Sequence, residues 1–98
     1  MTTSRENDTL RISVSGRIDT SNAPDLEKGI KQEIADAKTL LLDFSKVDYI
    51  SSSGLRVLLS VNKVMSTSGG ELIIKDPTDM VFEVFDVTGF SDILNIER

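Results

Sequence analysis

The stretch "KTLLLDFSKVDYISSSGL", residues 38 to 55, changes character twice. Its opening, "KTLLLDF", is a short continuous apolar run, the pattern of a strand buried on both faces at the centre of a sheet. "SKVDYI" reads as the connection leaving that strand. "SSSGLRVLLSVNKVMSTSGG" then places Leu55, Leu58, Leu59 and Met65 on one side of a helix, with Gly69-Gly70 as its stop. Three consecutive serines therefore stand where a central strand gives way to a helix, the edge at which open α/β sheets form their sites.

Upstream, "TLRISVSG" alternates Leu10, Ile12 and Val14 with Arg11, Ser13 and Ser15, as a half-buried strand does, and Gly16 is expected to end it. "DTSNAP" supplies turn and cap residues for "DLEKGIKQEIADA", an amphipathic helix with Leu26, Ile30 and Ile34 four residues apart and Pro24 in its first turn. "TTSRE" fits an antiparallel edge strand joined to the first core strand through Asn7-Asp8. Downstream, "ELIIK" predicts a further strand. "DPTDMVFEVFDVTGF" predicts a helix capped by Asp76, opened by Pro77, closed at Gly89 and facing the core with Met80, Val81, Val84 and Phe85, which leaves Phe82 partly exposed. A strand around "ILNI" closes the chain. The order (β)βαβαβαβ predicts one α/β domain over residues 1–98, with a mixed, mostly parallel sheet of four or five strands.

Composition narrows function. A chain of 98 residues has room for one modest core. There is no cysteine and no histidine, which removes thiol chemistry, disulfides and the commonest general base and metal ligand. The net charge of −5 disfavours nucleic acid and anionic lipid as partners. No apolar run reaches the roughly 20 residues of a membrane span, and the start of the chain lacks a signal-peptide pattern, so a cytoplasmic location is expected.

The serines themselves admit a plain reading, in which Ser51 or Ser52 caps the helix and Gly54 permits close packing. One cap needs one serine, however, and no acid or amide stands three residues on to complete a capping box. "SSSGL" is not a nucleophile elbow and no histidine is present to activate a serine, so hydrolase chemistry is disfavoured. "STSGG" ends a helix, whereas a phosphate cradle begins one. Asp43 and Asp48 make a weak case for a metal; neither a metal nor a cofactor is expected.

Taken together, "LLLDFSKVDYISSSGLRVLL", "SGRIDTSNAPDL" and "GGELIIKDPTDMVFEVFDVTGFSDILNI" resemble, in order and spacing, the signature of STAS domains, the anti-sigma factor antagonists and their relatives. The resemblance covers Thr9 to Ile96. It implies a bacterial regulator of transcription without catalytic activity that binds an anti-sigma factor serine kinase and so frees a sigma factor, until phosphorylation of one serine ends the interaction and a PP2C-type phosphatase resets it. The acceptor position, directly before Gly-Leu, falls on Ser53, with Ser52 the second choice. Ser51 stands where the family carries an aspartate. The implied partner surface comprises Asp19, Asp43, Ser51, Ser52, Ser53, Gly54, Leu55 and Arg56. Gly54 would leave room for a kinase, and Arg56 would lie one turn from the phosphate. The free domain is expected to be a monomer. The alternative within the family is an accessory or ligand-sensing module, such as a subunit of a lipid-transport ATPase complex, in which the serines only shape a helix start.

Overall fold

The computed structural model describes residues 1–98. The chain forms β1 (Thr2–Glu6), β2 (Thr9–Ile18), α1 (Ala23–Glu33), β3 (Thr39–Ile50), α2 (Ser52–Thr67), β4 (Glu71–Lys75), α3 (Asp79–Val87), a 3₁₀ turn (Phe90–Asp92) and β5 (Asn95–Glu97). The strands lie in the order β1-β2-β3-β4-β5, with β1 antiparallel to β2 and every later pair parallel. This is the mixed, mostly parallel α/β sheet expected, and of the four or five strands foreseen it has five because the edge hairpin forms. Asn7 supplies the hairpin's turn with φ 56°, a conformation that asparagine tolerates better than most residues.

The core gathers on one face of the sheet. Leu40, Leu42 and Phe44 of β3 are inaccessible to solvent, while Leu41 and Asp43 between them are half-buried. β3 is thus not buried on both faces as its apolar run suggests: the helices cover one side, where Phe44 meets Phe85 of α3 with ring centroids 6.4 Å apart. On the open side Arg11, Leu41 and Ile73 stand in register across β2, β3 and β4.

β3 also runs further than its sequence suggests, through "SKVDYI" to Ile50. In this part burial falls on Phe44, Val47 and Ile50, every third residue, which hides the strand from a search for alternation. The register supplies the reason. Between the pairs Ser13↔Asp43 and Ser15↔Lys46, and again between Gly16↔Val47 and Arg17↔Tyr49, β3 advances one residue more than β2. Each extra residue is a bulge that turns the following side chain over. Gly16 does not end β2. It lies at these irregularities with φ 82°, where a side chain would be strained, and the strand continues to Ile18.

Smaller corrections concern the helices. α1 stops at Glu33 rather than Ala37, because the chain turns through Asp36 with φ 67°; Ile34 and Ala37 are nevertheless buried. In α2 the core side consists of Leu55, Val57, Leu58, Val61 and Met65, with Leu59 only half-buried. The cap of α3 is Thr78, whose Oγ1 accepts the Val81 N–H at 3.4 Å and donates to the Val47 carbonyl at 3.1 Å. Asp76 instead ends β4: with φ 52°, it donates its N–H to the Glu97 carbonyl. Met80 is 62% exposed and lies off the core face, whereas Phe82 is half-buried as expected, beneath the Arg98 guanidinium. No helix is long and apolar enough to cross a membrane.

Candidate functional site

β2 and β3 are parallel neighbours, so the segments that leave their C-terminal ends emerge side by side. The Ser51 N–H donates to the Ile18 carbonyl at 2.8 Å and fastens the start of α2 to the end of β2. Beyond Ile18 the chain makes a turn that satisfies itself. Asp19 Oδ1 accepts the Ser21 hydroxyl at 2.7 Å and the N–H groups of Ser21 and Asn22 at 3.0 and 3.3 Å. In return, Asn22 Oδ1 accepts the Asp19 N–H at 2.9 Å, and its Nδ2 donates to the Arg17 carbonyl at 2.7 Å. These donors, the Ser21 hydroxyl first, hold the Asp19 carboxyl below the usual aspartate range, so it is ionised at neutral pH.

The three serines divide the work at the head of α2. Ser51 is the cap, accepting the Gly54 N–H at 3.2 Å through its hydroxyl. Ser52 is exposed and makes no side-chain hydrogen bond. Ser53 is half-buried, and its hydroxyl lies 3.1 Å from that of Thr20 in the neighbouring turn. Thr20 and Ser53, with Ala23, Pro24, Glu27, Arg56 and Val57, line a shallow cleft of about 230 Å³ between the first turns of α1 and α2.

Charge around the cleft is mixed. Lys31 donates to Glu27 at 2.6 Å and to Ser60 at 2.7 Å, linking α1 to α2. That bond, foremost, keeps the Glu27 carboxyl below the usual range. Arg56 is exposed and takes no part in any of the four ion pairs of the structure.

Three residues assigned to the partner surface are buried or stand away from the serines. Gly54 is buried, and a Cβ there would stand 2.6 Å from Ile50 Cγ1 and 2.7 Å from Ile18 Cγ2. The absent side chain makes room for the strand ends, not for a kinase. Leu55, 6% exposed, is a core residue. Asp43 sits on the open face of the sheet, seven residues before Ile50 along an extended strand, roughly 20 Å from the serines. Its carboxylate accepts from Arg11 Nη2 at 2.9 Å and the Ser45 N–H at 3.0 Å, and the Ser45 bond is the main reason its pKa lies below the usual range. Asp19, Ser51, Ser52, Ser53 and Arg56 do come together.

Thr20 and Glu27 escape a reading of the sequence alone. They lie 33 and 26 positions from Ser53, and nothing local marks them. The available signal is topological: once two strands are parallel neighbours, the turns after both must share one edge of the sheet. The same edge carries Arg17 and Tyr49, register partners with the guanidinium carbon 4.3 Å from the ring centroid.

The STAS domain profile matches residues 1–98. The anti-sigma-B factor antagonist of Listeria monocytogenes is 31% identical over 95 residues, covering 96% of this chain and 83% of that protein. An anti-sigma factor antagonist from Mycobacterium paratuberculosis superposes with a TM-score of 0.85 at 25% identity, over 97% of this chain and 81% of its own. The fold is also that of the anti-sigma factor antagonist SpoIIAA in its unphosphorylated form, with a TM-score of 0.83 at 19% identity over 99% and 87% of the two chains. A phosphorylated form of SpoIIAA is known as well, with a TM-score of 0.75. From its first residue to its last, the chain belongs to the STAS domain family, and its curated homologues are anti-sigma factor antagonists.

Proposed function

We propose that this protein is an anti-sigma factor antagonist without catalytic activity of its own. It binds an anti-sigma factor serine kinase through the edge formed by Asp19, Ser52, Ser53 and Arg56, releases the sigma factor held there, and is switched off when Ser53 is phosphorylated. The observation that carries the acceptor assignment is the division of labour at the head of α2. Ser51 performs the capping, so the Ser53 hydroxyl has no duty within the helix and stands half-exposed at a cleft.

The physics of such a switch is local. Phosphate adds roughly −1.5 to −2 charges and three acceptor oxygens at neutral pH. At a helix N-terminus the dipole tolerates the anion, so the fold survives and the surface offered to the kinase changes. With Asp19 and Glu27 ionised nearby, the phosphate enlarges an acidic patch, and Arg56 is the one cation lining the cleft to offset it. A thousandfold loss of kinase affinity corresponds to about 4 kcal/mol, within the range of one charge left poorly paired in an interface.

Incubation with the organism's anti-sigma factor kinase and ATP, followed by intact-mass measurement and peptide mapping, tests this reading. One added phosphate is expected on Ser53; Ser53→Ala accepts none and still binds the kinase, and Ser53→Asp folds but binds more weakly. Phosphate on Ser52 in the wild type, or undiminished incorporation into Ser53→Ala, overturns the acceptor assignment. No incorporation favours an accessory module.

A further inference from the structure

Thr20 is exposed, belongs to a turn whose other polar side chains are engaged within it, and directs its hydroxyl to Ser53 across the cleft at 3.1 Å. This is the side-chain hydrogen bond that joins the Asp19–Asn22 turn to α2. The turn is an unyielding anchor: Asp19 and Asn22 cross-bond each other, and the Ala23 N–H closes on the Asp19 carbonyl at 2.9 Å. The contact sets the Ser53 oxygen beside Thr20 at the cleft that both residues line. Ser52, one residue earlier, is exposed and unheld.

We propose that Thr20 is a positioning residue for phosphoryl transfer to Ser53, holding the acceptor oxygen at the mouth of the cleft and so selecting Ser53 over Ser52. The inference rests on the reading of Ser53 as the phosphate acceptor. In the transfer, a kinase-bound nucleoside triphosphate supplies the γ-phosphoryl group. The bond from Ser53 Oγ to phosphorus forms as that from phosphorus to the bridging oxygen breaks; the nucleoside diphosphate leaves with the electron pair, and the Ser53 proton passes to a base on the kinase. Before transfer, the Thr20 hydroxyl limits the rotation of the attacking oxygen, and a fixed attack geometry is a recognised source of rate. Afterwards, the same hydroxyl is free to donate to a phosphate oxygen, with Arg56 the cation on the cleft wall.

The test is site-resolved phosphorylation of wild type, Thr20→Val and Thr20→Ser by the organism's anti-sigma factor kinase with ATP, with peptide mapping to separate Ser52 from Ser53. Thr20→Val keeps the shape of threonine and removes the hydroxyl. It is expected to lower kcat/KM at Ser53 about fivefold, the factor that one hydrogen bond represents, chiefly through kcat, and to move part of the phosphate to Ser52. Thr20→Ser is expected to restore both the rate and the choice of serine, and all three proteins are expected to melt together. Wild-type rate and site distribution in Thr20→Val overturn the inference while leaving Ser53 as the acceptor. An equal loss in Thr20→Ser also overturns it, since the hydroxyl is then not the cause. Absence of phosphate from wild-type Ser53 overturns the functional reading, and the role of Thr20 with it.

Discussion

The two halves of β3 solve different problems with one strand. From Thr39 to Phe44 burial alternates strictly, with one row of side chains under the helices and the other on an open face where Asp43 pairs with Arg11. From Ser45 to Ile50 two bulges break the alternation, and the strand end is steered so that Ile50 reaches Gly54 of α2. The first half stores stability and the second aims the site. A regular strand makes a good core but fixes every following side chain in advance, and the bulges return that freedom where the serines begin.

The difference can be broken at several points, and the largest effect is expected in the first half. Leu42→Ala should cost roughly 2 to 5 kcal/mol by urea denaturation, because Leu42 is inaccessible, whereas Leu41→Ala on the open face should cost less than about 1 kcal/mol. Equal costs would mean that both faces are covered. In the second half the sensitive position is Gly54. Gly54→Ala forces Ile18 or Ile50 aside and should cost about 1 to 3 kcal/mol, displacing the head of α2 and weakening kinase binding beyond the loss of stability. A neutral Gly54→Ala would show that the strand ends are soft.

A smaller effect separates the serines. Ser51→Ala removes the cap and should cost about 0.5 to 2 kcal/mol in thermal melts, while Ser52→Ala should stay within about 0.5 kcal/mol of wild type. The smallest effect is on acid stability. Asp19, Glu27 and Asp43 titrate below their ordinary values of 3.8, 4.5 and 3.8 in the folded protein. The stability they contribute is therefore present above those values and is lost as pH falls through the lower folded ones. The melting temperature should hold from pH 7 to about 5 and decline below about pH 4, with a shallower decline in Asp43→Asn. These groups are largely at the surface, so solvent screening keeps the difference small.

The fold was legible wherever local chemistry and tertiary packing agree. The alternation of Leu10, Ile12 and Val14, the glycines after α2 and α3, and the apolar run at Leu40 each announce their element because burial follows one period. "SKVDYI" did not announce a strand, because its burial follows no helical or strand period, and the cause lies in its pairing with β2. Met80, in the first turn of α3, is 62% exposed although Val81 and Phe85 of the same assigned face are buried: a continuous apolar run does not mark which edge of its stripe meets the core. At the site, the chain shows that Ser51 or Ser52 caps the helix without choosing between them, the structure selects Ser51, and Ser53 is singled out by the family resemblance. Thr20 could not be read from the chain, since its bond to Ser53 spans two elements joined only through the sheet.

The bulges also impose a counting rule on the segment between Phe44 and Ser51. With strict alternation from Phe44, the inward positions would be 46, 48 and 50, placing Lys46 and Asp48 in the core; with both bulges they are Val47 and Ile50. Ile50 faces inward in either case, because two inserted residues restore the original facing. Deleting one residue here would turn Ile50 outward and present Ser51 to the wrong side. Deleting two would keep its facing, and because the two extra residues oppose no additional length of β2, Ile50 would still pair with Ile18. Length in this segment can therefore change only in even steps without turning the strand over and swinging the head of α2 to the other side of the sheet.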